Sequence, residues 1–162
     1  MFKNIGSEIS AAVLTIAVCL LVGFLGSLLT MPSIPTWYVA LNKPVFNPPN
    51  WIFGPVWTTL YILMGISAYL ILRQGLSNRR VILALSLFVL QLLLNLEWSL
   101  IFFARHNIGL AFGEIILLWL MILFTAFYFY RMSKVAAWLF VPYILWVSFA
   151  AVLNFSIWML NP

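Results

Sequence analysis

Charged residues are so few and so unevenly spaced that they leave five long uncharged or nearly uncharged stretches. The 162 residues include only eight Lys or Arg and three acidic residues, all of them Glu. No charge occurs in the 34 residues between Glu8 and Lys43, the 29 between Lys43 and Arg73, or the 28 after Lys134. Because a helix needs about 20 mostly apolar residues to cross a bilayer, this pattern predicts an integral membrane protein rather than a water-soluble domain.

The spacing of these charges predicts five transmembrane helices in a single domain covering residues 1–162. The predicted spans are 9–30, 52–72, 81–103, 109–130 and 135–158. Each can satisfy its backbone hydrogen bonds internally, as the bilayer core requires. The first apolar run follows Lys3 and is longer than the core of a secretory signal, so we expect it to be retained as the first span. The fold class is therefore an all-α membrane bundle with one long, aromatic and proline-rich connection, residues 31–51, named here the lid loop.

The distribution of Lys and Arg predicts the orientation of the chain. Two basic residues, Lys43 and Arg105, fall on the side of the lid loop. Six fall on the side of the N-terminus, namely Lys3, Arg73, Arg79, Arg80, Arg131 and Lys134. In a bacterial inner membrane this excess places the N-terminus in the cytoplasm and the lid loop and C-terminus outside. The same asymmetry explains the net charge of +5, so that charge gives no reason to expect nucleic acid binding.

The residue types that are missing or rare exclude several kinds of chemistry. The chain has one His, His106, and one Cys, Cys19, and it has no Asp. These counts exclude a Cys/His zinc site, an internal disulfide and any Asp-based triad or metal cage. We therefore predict no catalytic residue, no metal site and no obligatory cofactor.

Polar and aromatic side chains form stripes on three of the predicted helices. At 100° per residue, the third span carries Gln91, Asn95, Trp98 and Phe102 on one face, the fifth carries Tyr143, Trp146, Ala150 and Asn154, and the second carries Trp57 and Tyr61. One interpretation is interhelical hydrogen bonding and packing. Another is a cavity with flat aromatic walls and an orienting amide, which suits a planar apolar guest. The two interpretations are compatible.

The remaining ionisable residues favour structural roles. Glu97 points away from the amide stripe. A position near the membrane interface or an interhelical hydrogen bond is therefore favoured over a role in proton coupling. Glu114 is interpreted as a carboxylate that complements the positive end of the fourth helix, with Arg105 within reach across the turn. His106 is expected to be a solvated loop residue, and Cys19 to be a packing residue.

Small and aromatic residues outside the stripes suggest packing and membrane anchoring. Gly23 and Ser27 form a small-xxx-small pair that permits close helix approach, either within the bundle or between two copies. Tryptophans near the ends of the spans suit the headgroup layer: Trp51, Trp138 and Trp158, with Trp119 either there or in the packing.

The lid loop and the start of the second span contain the most specific motif in the chain. Residues 37–61 follow the pattern WYxxLxKPxxxPPxWxxxPVWxxxY. Further matches are Gln91–Asn95 with Trp98, Phe102–Phe103, Pro142–Tyr143 with Trp146, and Phe149–Asn154. Taken together, these motifs closely resemble the TspO/MBR family, also called translocator proteins, tryptophan-rich sensory proteins or peripheral-type benzodiazepine receptors.

The resemblance implies a five-helix bundle, often a homodimer, that binds porphyrins such as protoporphyrin IX or haem, and sterol-like ligands, beneath the first loop. The site residues that it implies are Trp37, Tyr38, Trp57, Tyr61, Asn95, Trp98, Trp146 and Ala150. Two positions depart from the animal members. Phe155, with no basic residue after it, removes their cholesterol-recognition pattern, so cholesterol import is not expected. Leu110 replaces a tryptophan.

Three functions follow as hypotheses. The leading one is a membrane receptor or carrier for tetrapyrroles and other planar apolar molecules, with a regulatory role. The second is an enzyme that promotes light-dependent porphyrin degradation, in which the reactivity would come from the photoexcited ligand because the sequence offers no acid–base pair. The third is an ion-coupled exporter of aromatic cations, which would need a membrane carboxylate facing the pathway.

Overall fold

A computed structural model describes residues 5–162, and in that range the chain is almost entirely helical. The helices are α1 (Ile5–Thr30), α2 (Asn50–Leu72), α3 (Arg79–Ser99), α4 (Ile108–Tyr130), α5 (Lys134–Trp138) and α6 (Val141–Leu160). Two π-helical turns, Ile34–Tyr38 and Leu100–Ala104, follow α1 and α3. Five segments are long and apolar enough to cross a membrane, because α5 and α6 together form the fifth. The predicted all-α five-span membrane fold is confirmed.

The fifth span is not the continuous helix over 135–158 that the sequence suggested. It is interrupted at Leu139 and Phe140, between α5 and α6. Pro142 explains the break, because its ring clashes with the carbonyl four residues earlier and it has no N–H to donate. That carbonyl belongs to Trp138, the last residue of α5. The other spans agree with the predicted ones within a few residues, and α1 begins earlier, at Ile5.

Side-chain caps begin three of the helices. The Asn78 side chain accepts a hydrogen bond from the Arg80 N–H at the start of α3, and Asn107 accepts one from Leu110 at the start of α4, both at 2.9 Å. Ser133 accepts from Ala136 at the start of α5. These caps satisfy backbone donors that the first helical turn leaves free. The turns between the spans are short, and α3 and α4 therefore pack side by side as antiparallel neighbours.

Glycines allow α1 and α2 to approach closely. A Cβ atom at Gly23 would overlap the Tyr61 ring, and one at Gly65 would overlap the backbone of Ile16. Gly23 thus serves packing within the bundle, one of the two roles that the sequence left open for the pair with Ser27. Cys19 is fully buried in the same region, as predicted for a packing residue.

The end of the bundle away from the lid loop is packed solid. Phe88, Phe129 and Phe140 form a mutually contacting aromatic cluster there, with ring centroids 5.3–6.2 Å apart. Trp138 is 68% exposed on the outer surface, whereas Trp119 donates a 2.8 Å hydrogen bond to Ser148 inside the packing. The aromatic cluster fills the interior away from the lid loop, so a larger cavity is expected at the end beneath the lid loop.

Candidate functional site: an aromatic cavity beneath the lid loop

A cavity of about 550 Å³ occupies the end of the bundle beneath the lid loop. All five spans contribute to its walls, together with Met31, Ile34 and Tyr38 of the lid loop. Its volume falls within the range of about 300–1,000 Å³ that is usual for small-molecule sites. Seven of the eight residues implied by the resemblance line it: Tyr38, Trp57, Tyr61, Asn95, Trp98, Trp146 and Ala150.

Trp37, the eighth implied residue, does not line the cavity. Its indole stacks on the His106 ring with centroids 4.2 Å apart and meets the edge of Phe102 at 5.5 Å. Trp37 therefore fixes the lid loop to the turn before α4. His106 is exposed in the loop, as expected, and in addition contacts Trp37 and Ser33.

Asn95 is the centre of a buried hydrogen-bond network behind the cavity wall. Its Oδ1 accepts a 2.5 Å hydrogen bond from the Tyr61 hydroxyl, and its Nδ2 donates to the Tyr143 hydroxyl at 2.9 Å. Tyr143 in turn donates to Gln91 Oε1 at 3.1 Å. Gln91 and Tyr143 do not line the cavity. The network joins α2, α3 and α6, which is the interhelical role that the sequence allowed for these amides.

A second amide, Asn154, joins three more parts of the bundle. Its Oδ1 accepts a 3.0 Å hydrogen bond from the Trp98 indole, and its Nδ2 donates to the Ile108 carbonyl at 3.0 Å. Trp98 also stacks on Phe102, with centroids 5.0 Å apart and an interplanar angle of 22°. The π-helical turn that contains Phe102 widens the end of α3, and such turns are frequent at functional sites.

Trp146 carries the only polar side-chain atom of the lining, among residues 5–162, that is both fully buried and without a hydrogen-bond partner. Its Nε1 is inaccessible and has no hydrogen-bond partner among residues 5–162. The ring meets the edge of Phe53 at 5.8 Å and lies 5.6 Å from Phe149. Since buried N–H groups are nearly always paired, this unpaired indole donor sets Trp146 apart from the other lining residues.

The first half of the lid loop is fixed to the turn between α3 and α4. The Ser33 hydroxyl donates to the Phe103 carbonyl at 2.7 Å, and it lies 3.2 Å from Nε2 of His106. Because the single hydroxyl proton goes to Phe103, the imidazole is the donor in the second contact. His106 adopts a left-handed backbone, with φ of 54°, which turns its ring back onto the lid loop.

The second half of the lid loop is fixed to the end of α6. Asn161 Nδ2 donates to the Asn42 carbonyl at 2.9 Å, and Asn161 Oδ1 accepts from the Asn42 N–H at 3.0 Å. Between the two anchors, the Tyr38 hydroxyl donates to Asn47 at 2.9 Å. Burial raises the pKa of Tyr38, although the bond to Asn47 opposes that effect. The phenol is thus held in the neutral form that donates.

Several lining residues on α1 had no signal in the sequence. Leu20, Phe24 and Ser27 form part of the wall, although α1 shows no aromatic or polar stripe that would single them out. Phe24 and Met31 are 58% and 64% exposed. The α1 side of the wall therefore includes side chains that are also exposed on the outside of the bundle.

The acidic residues of the spans lie outside the cavity wall. Glu97 is exposed on the outer surface of α3. Glu114 is buried in the second turn of α4, with both carboxylate oxygens unbonded. The interpretation of Glu114 as a partner of the helix end or of Arg105 is wrong, because it lies six residues after Ile108 and forms no ion pair. Across the described residues no three His, Cys, Asp or Glu side chains group as a metal site.

These features define a class of protein: a five-span helical membrane bundle with an internal aromatic cavity beneath an anchored loop. The sequence matches the TspO/MBR family over residues 15–159. It is 44% identical over 155 residues to a tryptophan-rich protein TspO of Chlorobaculum tepidum, covering 96% of this chain and 98% of the relative. It is 43% identical to one of Archaeoglobus fulgidus, covering 92% and 95%, and 39% identical to the translocator protein of Ovis aries, covering 86% and 83%.

The chain belongs to the TspO/MBR family. That membership confirms the resemblance drawn from the lid-loop motif, and together with the five spans it identifies an integral membrane protein. Membership of this family also supports a role as a membrane receptor.

Proposed function

We propose that this protein is a membrane receptor or carrier that binds porphyrins, or other planar apolar molecules, in the cavity beneath the lid loop. The observation that carries the proposal is the chemistry of the cavity wall. Trp57, Trp98 and Trp146 offer flat rings from three different spans. Stacking on such rings is favourable for a planar guest, and a wall with few polar atoms suits a molecule that partitions into the bilayer.

Trp146 would both stack on the bound ligand and orient it through a hydrogen bond. Its ring borders the cavity and its N–H has no partner in the protein. The N–H is inaccessible with the ring in this position, so the ring would turn when a ligand with an acceptor at its edge binds. The new bond would remove the penalty of leaving the donor unbonded. Asn95 also borders the cavity, but both ends of its amide are already bonded to tyrosines. Asn95 therefore holds the wall in place, and the orienting bond that the sequence assigned to it falls to Trp146.

The proposal is tested with protoporphyrin IX and the purified protein in detergent. We expect Trp146→Leu to weaken binding by about tenfold or more, since loss of ring stacking and of a hydrogen bond each contributes on the order of 1 kcal/mol. Binding is read from the Soret absorbance of the porphyrin. Trp138→Leu is the matched control, because Trp138 is 68% exposed and lies outside the cavity.

Equal affinity of the wild type and both variants would contradict the proposed site. A wild type that does not bind protoporphyrin IX would contradict the proposed ligand class. A homodimer in a bacterial inner membrane, with no obligatory cofactor, remains part of the proposal, and size-exclusion chromatography with light scattering tests the dimer.

Light-dependent porphyrin degradation is the second candidate function. The observation in its favour is that three indoles border one cavity, so an excited porphyrin would be surrounded by oxidisable rings. Illumination of the complex separates the two functions. A discrete product that requires the lining tryptophans would favour the enzyme, whereas bleaching that is unaffected by their substitution would favour a binding protein.

A further inference from the structure

Glu114 is a buried carboxyl group that the proposed function does not use. It is only 8% exposed, and neither carboxylate oxygen has a hydrogen-bond partner among residues 5–162. It lies six residues into α4, or about 9 Å from the start of the helix at a rise of about 1.5 Å per residue. An unbonded carboxyl at that depth in a membrane span needs an explanation.

A second carboxyl lies at the same depth on the neighbouring helix. Glu97 precedes the end of the π-helical turn at Ala104 by seven residues, again about 10 Å of helix. Because α3 and α4 are antiparallel and packed together, Glu97 and Glu114 lie at one level of their seam. Glu97 is exposed on the outer surface of the bundle, so it forms the outward side of the pair.

Within residues 5–162 neither Glu97 nor Glu114 takes part in a salt bridge. Of the helices packed against α4, α3 contributes Glu97 and α6 contributes Tyr143 as titratable groups near Glu114. Arg105 is exposed in the turn beyond α3 and forms no ion pair. The ion pair between Arg73 and Glu8 lies at the opposite end of the bundle. Two ionised carboxylates here would repel one another in a medium that does not solvate charge.

We propose that Glu114 and Glu97 form a proton-binding site at the seam of α3 and α4. Glu114 is the carboxyl that carries the proton at neutral pH, and Glu97 is the outward group through which the proton is exchanged with the membrane surface. In the step itself, a carboxylate oxygen of Glu114 takes a proton from hydronium, which leaves water, and the group becomes a neutral carboxylic acid. Burying the acid costs far less than burying the ion.

Infrared spectroscopy of the ligand-free protein in lipid nanodiscs tests this site. The chain has only three acidic side chains, so the carbonyl stretch of a protonated carboxylic acid is readily assigned. We expect this band at neutral pH in the wild type and in Glu8→Gln, and its loss in Glu114→Gln. Glu8→Gln is the matched control because Glu8 is half-exposed and paired with Arg73.

We expect Glu97→Gln to keep the band but to slow its response to a pH jump. Absence of the band in the wild type, or its survival in Glu114→Gln, would overturn the proposal, and so would its loss in Glu97→Gln. Helical content measured by circular dichroism shows that each variant is folded. No porphyrin is present, so the result is independent of the proposed function.

Discussion

Asn95 shows how one side chain can border a cavity and yet have no free hydrogen-bonding atom facing it. Its Oδ1 accepts from Tyr61 and its Nδ2 donates to Tyr143. The Tyr143 hydroxyl in turn donates a hydrogen bond to Gln91 Oε1. Both polar atoms of the Asn95 amide and both tyrosine hydroxyls have a partner, so the network fixes the rotamers of both tyrosines. Fully satisfied buried networks of this kind specify a single arrangement of the surrounding helices.

Removing the hydroxyl of Tyr61 tests how much this network contributes to the free energy of unfolding. We expect Tyr61→Phe to lower the free energy of unfolding by about 1–3 kcal/mol, because it leaves Asn95 Oδ1 buried without a donor. The ring itself, which packs against Gly23, is retained. Unfolding is followed by circular dichroism as SDS is added to the protein in mild detergent.

Tyr130→Phe is the matched control for this measurement. Tyr130 is 50% exposed, and its ring contact with Lys134 does not depend on the hydroxyl. The same chemical change should therefore leave stability within about 0.5 kcal/mol of the wild type. Equal losses in the two variants would contradict a special role for the network.

At the scale of elements, the lid loop is a strap with two separate anchors. One anchor joins Ser33 and Trp37 to the turn before α4. The other joins Asn42 to Asn161 at the end of α6. The prolines of the lid loop restrict its backbone, which lowers the entropy cost of holding the loop in place. They are Pro32, Pro35, Pro44, Pro48 and Pro49. Because the anchors share no residue, each should release without the other.

The Asn161 anchor is tested by hydrogen exchange of the lid loop. We expect Asn161→Ala to speed amide exchange in residues 39–47 by about tenfold, because net hydrogen bonds contribute about 0.5–1.5 kcal/mol each and about 1.4 kcal/mol is tenfold. Residues 33–38 should keep their wild-type exchange rate, since the first anchor is intact. Mass spectrometry of peptic fragments separates the two halves.

Two further variants make the result specific. Asn42→Ala removes only the side-chain bond to the Leu160 carbonyl, at 3.3 Å, so it should have a smaller effect than Asn161→Ala. Ser156→Ala removes a hydroxyl that bonds within α6 and should have none. Uniformly faster exchange along the whole lid loop would show that the anchors do not act separately.

The spans could be predicted from the sequence because their signal is hydrophobic length, whereas the details depend on local geometry. The break at Leu139 and Phe140 follows from Pro142, but apolar composition continues through it. The anchor at Asn161 joins residues 119 positions apart, and no local pattern reports a contact of that kind. The start of α4 was predicted within one residue, but Glu114 lies beyond its first turn, where no free backbone N–H groups remain for a carboxylate to complement.

At the scale of the whole molecule, the bundle has a solid end and a hollow end. Close approach of α1 and α2 at Gly65, and the aromatic cluster around Phe88, fill the end away from the lid loop. Beneath the lid loop the same helices separate around the cavity. Large rings such as Trp57 and Trp146 line this space without filling it, which leaves room for a guest.

The stripes on the second, third and fifth spans predicted much of this cavity, since helical periodicity shows which side chains share a face. Helical periodicity cannot show which of two side chains on one face borders the cavity and which lies behind the cavity wall. Tyr143 and Trp146 lie on one face of α6, but only Trp146 borders the cavity. The contribution of Phe24 depends on where α1 lies in the bundle, and no residue type marks that position.

The orientation in the membrane follows from the bundle as a whole and is tested with single cysteines. The six basic residues on the N-terminal side against two on the lid side predict a lid loop outside the cytoplasm. Cys19 is buried and is replaced first by Ala. Val45→Cys then marks the lid loop, and Leu76→Cys marks the turn between α2 and α3, both at exposed positions.

With a membrane-impermeant maleimide added to intact bacterial spheroplasts, we expect Val45→Cys to be labelled and Leu76→Cys to be labelled only after lysis. The reverse pattern would contradict the orientation, and labelling of both variants before lysis would show a mixed one. The two variants are expected to differ in labelling because a single span, α2, separates residues 45 and 76, so these positions lie on opposite sides of the membrane.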